Sequence, residues 1–237
     1  MRDEARAHAL ARRLVTGACA ALLLACAPAD RAEPHATAGV DAEPNATGGV
    51  DATPDLVVPG GRFGPIEPDA SARDLIGAVG SAYAEDVVHL GEGFCAAGAV
   101  LYGGTADEIR VAFTDDTREL VASAVANGEG ARWRTAEGVG VGTPLERLAE
   151  LNGAPITFMG FGWDRGGTVI GYGGGALSSY RDGTGFFVLL DATPRVADRA
   201  LVGDHEVSSD HAALAGYDVR VRGLEAQWRT PRPRDCA

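Results

Sequence analysis

The chain has 237 residues and a formal net charge of −12 at pH 7, and every one of its 21 basic residues is arginine. The acidic excess argues against nucleic acid and against an anionic membrane surface as partners. Without lysine there is no Schiff-base chemistry and no P-loop.

Taken in order, Arg2, Arg6, Arg12 and Arg13 precede the apolar run Leu14 to Ala25. That run is too short for a bilayer span and ends in small residues, so residues 1–25 read as a signal peptide. Asp3 and Glu4 are unusual in such a leader. Leu23-Leu-Ala-Cys26 has the form of a lipobox, with Cys26 as the lipidated new N-terminus holding the chain to a bilayer through an acyl anchor. Cleavage after Ala27 or Ala29, or a retained membrane helix, are the alternatives. Residues 26–60 are rich in Pro, Ala, Gly, Thr and acids, and carry a near-repeat, Ala32 to Asp41 and Ala42 to Asp51. With almost nothing large and apolar to bury, they read as a disordered acidic tether.

Residues 61–237 are enough for one substantial core. Strand-like runs fall at Val87 to Leu90, Val100 to Tyr102, Ile109 to Phe113, Ile156 to Phe161, Thr168 to Tyr172, Phe186 to Leu190 and Val219 to Arg222. Gly- and Asp-containing turns such as Asp182-Gly183 join them. The expected fold is α+β: an antiparallel β-sheet with short helices on one face.

Two short helices are legible. Ser71-Ala-Arg-Asp74 has the form of a capping box, with Leu75, Ile76 and Val79 leading to a stop at Gly80. Thr143-Pro144-Leu145-Glu146 reads the same way: a hydroxyl N-cap, proline at the first helical position and glutamate at the third. Leu145, Leu148, Ala149 and Leu151 form its apolar stripe and Asn152-Gly153 its left-handed stop. Leu75 and Gly80 stand at the same offset from each other as Leu148 and Gly153. That leaves open a domain built from tandem halves, 61–130 and 131–237, against chance similarity of two capped helices. The glycine clusters Gly138 to Gly142 and Gly171 to Gly175 fit no phosphate-binding fingerprint and read as turns.

Cys19 leaves with the leader and Cys26 is taken by lipid, so Cys95 and Cys236 are the expected disulfide of an exported chain. His89 lies six residues before Cys95 with Glu92 between them. The pair could activate a thiol, but a bystander histidine at a strand end is the commoner arrangement. Asp204, His205, Glu206, Asp210 and His211 form the densest ionisable cluster. Its spacing matches no zinc motif, so Asp204, His205, Asp210 and His211 are only weak metal candidates beside the reading of a solvated loop. Ser208 and Ser209 offer hydrolase parts without a nucleophile elbow. Trp133, Phe158, Phe161, Trp163 and Tyr172 come close together among Arg132, Arg134, Asp164 and Arg165. Trp133, Trp163, Tyr172 and Arg165 are the candidate binding face, against the alternative that the aromatics fill the core.

The run Trp133 to Val139, with Gly142 to Gly153 and Gly160 to Thr168, resembles a family of small bacterial exported proteins and lipoproteins. More distantly, Gly64-Pro-Ile66 followed by a short helix and glycine is similar to the entry of the small lipoprotein of the outer-membrane assembly machine. It is also similar to the tandem helix-on-sheet units of the β-lactamase inhibitor proteins. These resemblances imply a non-enzymatic protein that works through protein contacts. The expectation is therefore an exported, lipid-anchored domain of the cell envelope, without cofactor or catalytic residues, binding an envelope protein or glycan through a sheet face. The alternative is an envelope hydrolase or metal-binding protein using His89 or the cluster from Asp204 to His211.

Overall fold

The computed structural model describes residues 55–236. Helix α1 (Ala72–Val79) leads into the strands β1 (Tyr83–Gly91), β2 (Phe94–Leu101), β3 (Ile109–Phe113) and β4 (Val121–Ala126). Helix α2 (Leu145–Asn152) is followed by β5 (Thr157–Met159), β6 (Val169–Gly171), β7 (Phe186–Thr193), β8 (Glu206–Ser208), β9 (Asp218–Gln227) and β10 (Arg234–Asp235). The main sheet runs β1-β2-β3-β4-β9-β7, with β10 paired to β2, and a small sheet runs β6-β5-β8. Every strand pair is antiparallel. The protein is thus an α+β fold with short helices packed on an antiparallel sheet.

After α1 the chain runs as a meander, β1 to β4; after α2 it forms β5 and β6 of the small sheet, then β7 of the main sheet, returns to β5 as β8, and re-enters the main sheet as β9. A single bridge, Thr168 to Leu189, joins β6 to β7. The last strands of the two runs, β4 and β9, pair with each other. The fold already begins before residue 61, since Leu56 is bridged to Arg134 and Val57 to Phe63.

The core is one continuous cluster that includes Phe63, Ile66, Leu75, Leu101, Phe113, Trp133, Leu148, Phe158, Tyr180 and Phe186. The apolar positions of β3, β4 and β9 bury against the helices and the loops between them, which is the main driving force for the fold. Helix α1 has the expected capping box: Ser71 Oγ accepts from Asp74 N–H and Asp74 Oδ2 accepts from Ser71 N–H. Helix α2 departs from expectation. Its N-cap is Pro144, without a side-chain cap, because Thr143 Oγ1 accepts instead from Gly140 N–H at 3.0 Å. The same loop is tied to β9, where Gly142 N–H donates to Val221 O and Val221 N–H to Thr143 O. Tertiary hydrogen bonding has taken the threonine. Gly153 is the left-handed stop, with φ of 71°.

The leader, Cys26 and most of the tether lie outside the described residues. Among the described residues no helix is long and apolar enough to cross a membrane. The expectation of a lipid-anchored chain held in the envelope rests on the leader and Cys26, and finds no support among the described residues.

Candidate functional site

The site is built on the β1–β2 hairpin. Glu92 and Gly93 form its two-residue turn, with φ of 50° and 84°, the left-handed pair that matches strand twist in a tight hairpin. From that turn, a regular ladder would place Leu90 opposite Cys95. A bulge at Leu90 shifts the register by one residue, so His89 pairs with Cys95, and bulges re-aim side chains in this way.

On its other side β2 pairs with β3 only from Gly98 onward. The vacated edge is taken by the C-terminal tail, where Arg234 pairs with Cys95 and Asp235 with Phe94. Arg234 is anchored to Asp116 at 2.8 Å, and Cys236 N–H donates to Gly93 O at 3.0 Å. Residues two apart on a strand share a face, so Cys236 comes to the side of the sheet that carries Cys95 and His89.

Cys95 and Cys236 form a disulfide across a sequence separation of 141. His89 Nδ1 lies 3.4 Å from Cys95 Sγ and 3.5 Å from Cys236 Sγ. Among the described residues this is the group of His, Cys, Asp and Glu with the geometry to hold a metal ion, its three ligand atoms all within 4.8 Å of one another. Cys95 is buried, Cys236 half-buried and His89 exposed. A surface cavity of about 300 Å³, lined by Val87, His89, Cys95, Arg234, Asp235 and Cys236, opens onto the sulfurs.

This cluster corrects the expected function. A disulfide with one buried and one half-buried sulfur facing an imidazole is redox-capable and, once reduced, metal-capable chemistry, which overturns the reading of a non-enzymatic module acting through a sheet face and the leaning against an enzyme. All three residues stand out in the sequence. Their convergence does not, because it depends on the bulge and on the tail adding to β2.

The other candidates are placed as follows. Among the described residues, Asp204, His205, Asp210 and His211 belong to no metal-holding group. Their imidazoles are used locally: His205 Nε2 lies 2.9 Å from Ala200 O, and His211 Nδ1 accepts from Ala213 N–H as the cap of a 3₁₀ turn. Ser209 Oγ accepts from Ile156 N–H. Trp133 and Tyr172 are in the core, with Trp133 Nε1–H donating to Asp107 O, so they share no open face with Trp163 and Arg165. Trp163 is half-buried and Arg165 exposed.

A second polar cluster, Thr135, Glu137 and Tyr180, is closed on itself. Tyr180 Oη bonds both Thr135 Oγ1 and Glu137 Oε2, and burial first, then its bond to Glu137, pushes the phenol far up. Burial works against ionisation of Glu137, but the bonds from Tyr180 and Thr135 hold its carboxyl below the ordinary range.

The chain matches no protein-family model, no curated protein and no solved structure.

Proposed function

We propose that the protein is a redox-gated metal-binding protein, whose site is His89, Cys95 and Cys236 in the dithiol state. The observation that carries this reading is the position of His89 Nδ1, nearly equidistant from both sulfurs at 3.4 and 3.5 Å. A tetrahedral Zn²⁺ has Zn–N of about 2.05 Å and Zn–S of about 2.3 Å. Those bonds span about 3.5 Å from imidazole nitrogen to thiolate and about 3.8 Å between thiolates. The two N···S edges are thus already set, and only the sulfur pair must part.

Opening the site takes two equivalents of thiol, from a small thiol or a protein dithiol. A thiolate attacks Cys236 Sγ, the more exposed sulfur, and the S–S electron pair leaves on Cys95 Sγ. The second thiolate then releases Cys236 from the mixed disulfide, so the reductant ends as its disulfide and the protein as two thiols. Binding a cation by the two cysteines and the neutral imidazole displaces the two thiol protons. Two thiolates and an imidazole suit thiophilic d¹⁰ cations such as Zn²⁺ or Cu⁺. Three protein ligands leave the fourth position open, as catalytic rather than closed structural zinc sites do.

The test is equilibrium dialysis of the full chain against Zn²⁺, oxidised and after anaerobic reduction, with Co²⁺ substitution read by thiolate-to-cobalt charge-transfer absorption. The reduced protein should bind one equivalent that Cys95→Ser abolishes and His89→Ala weakens at least tenfold, while the oxidised protein binds none. Zinc uptake unaffected by reduction, or by Cys95→Ser, would sink the proposal.

A further inference from the structure

A second concave site lies away from the disulfide, between the loop that follows β5 and the outer side of β7. It is a cavity of about 410 Å³ lined by Phe161, Trp163, Ala192, Arg195, Val196 and Arg222, among others. Such a volume suits a ligand of one or two rings. Phe161 and Ala192 are buried and make its apolar floor. Trp163 Nε1–H donates to Gly160 O at 2.8 Å, which spends the indole's polar handle on backbone and fixes the ring, leaving its faces for apolar contact.

Some described arginines close on a carboxylate and others do not, and both cations of the cavity belong to the second group. Arg110, Arg118, Arg147 and Arg220 each close on a carboxylate. Among the described residues Arg195 makes no hydrogen bond and no ion pair, and Arg222 makes no ion pair. Arg222 Nε–H donates to Leu190 O at 3.2 Å, which aims the guanidinium while leaving its terminal nitrogens uncommitted. The one carboxylate in the lining, Asp191, accepts from Ala192 N–H at 2.8 Å. Nearby Glu225 has its carboxyl pushed up by burial, with the charges of Arg165 and Arg222 acting against that shift. In a chain where acids outnumber bases, two guanidiniums with no carboxylate in ion-pair contact at an aromatic-walled cavity are arranged to receive an anion.

We infer that this cavity binds a small carboxylate carried on a six-membered ring, the carboxylate meeting Arg195 and Arg222 and the ring lying against Trp163. An aromatic acid and a hexuronic acid share that chemistry.

The test is titration of the full-length protein with 4-hydroxybenzoate and with galacturonate, followed by ligand-detected NMR and calorimetry, using 4-hydroxybenzyl alcohol and galactose as neutral counterparts. One of the acids should bind at least tenfold more tightly than its neutral counterpart. Arg195→Ala, an exposed position whose substitution leaves the core intact, should erase that preference, and Trp163→Ala should weaken binding of acid and neutral compound alike. Whichever acid binds identifies the source. Failure of both acids to bind, or an acid preference unchanged in Arg195→Ala, overturns the inference. Because the site shares no residue with the metal cluster, Cys95→Ser should leave this binding unchanged.

Discussion

Ser71 is the N-cap of α1 and Thr143 stands one residue before the N-cap of α2, and the two hydroxyls do different work. Ser71 caps α1: its Oγ accepts from Asp74 N–H at 3.3 Å, and the Asp74 carboxylate accepts from both Ser71 N–H and Oγ–H. Ser71→Ala should therefore cost about 1 kcal/mol, read as a lower denaturant midpoint at unchanged slope. The Ser71 side-chain bond first, and its backbone bond second, hold the Asp74 carboxyl below its ordinary value of 3.8. A lowered folded-state value means stabilisation present above the ordinary value and lost as pH falls through the folded one. The gap between wild type and Ser71→Ala should accordingly narrow below about pH 4, and a gap that stays constant into acid would refute the assignment. The Ser71 cap is legible in sequence because both partners are local. The fate of Thr143 is not, since its competitor is the loop docked on β9.

At the scale of elements, what holds α2 to its surroundings is a buried amide. Asn152 is 1% exposed. Its Nδ2 donates to Ala154 O at 2.8 Å and Tyr172 O at 2.7 Å, and its Oδ1 accepts from Leu177 N–H at 3.1 Å. In sequence the residue reads only as part of a helix stop; in the fold it ties the end of α2 to the loop between β6 and β7. Asn152→Asp keeps the shape but aims a carboxylate at two carbonyl oxygens. The loss should be about 3 kcal/mol or more at neutral pH. It should be smaller in acid, because a carboxyl with a raised folded-state value contributes stability that disappears as pH rises. Equal losses at pH 4 and pH 8 would count against this account. The strands divide in the same way. β3 and β7 announce themselves through large β-branched and aromatic residues. β4, Val-Ala-Ser-Ala-Val-Ala, is built from small residues whose weak pattern gains meaning only between β3 and β9. The short β8 and β10 are strands solely because neighbouring edges accept them.

For the whole molecule, the Cys95–Cys236 bond joins the end of the chain to a strand near the beginning of the fold, and the same bond closes the proposed metal site. Reduction should thus have two separable effects. It releases a closure spanning 141 residues, which should lower stability by about 2–5 kcal/mol. The tail is held besides by Arg234 to Asp116, by Arg232 N–H to Thr114 O and by the short β10 ladder, so loss should concentrate at β10 and the hairpin tip. Hydrogen exchange at Cys95 and Phe94 should rise before exchange in β9. A cation that binds the folded dithiol then restores stability by mass action, about 2.7 kcal/mol at a free concentration one hundred times its dissociation constant. Thermal melts of the reduced chain should therefore rise with added Zn²⁺, while those of the oxidised chain stay still. His89→Ala should cut the rise to about 1.4 kcal/mol or less at the same free Zn²⁺ without changing the cost of reduction, because the imidazole contributes a ligand and no part of the covalent closure. If Zn²⁺ raised the melts of reduced wild type and reduced His89→Ala equally, the two sulfurs would be binding without the histidine, and the gated three-ligand site would have to be abandoned.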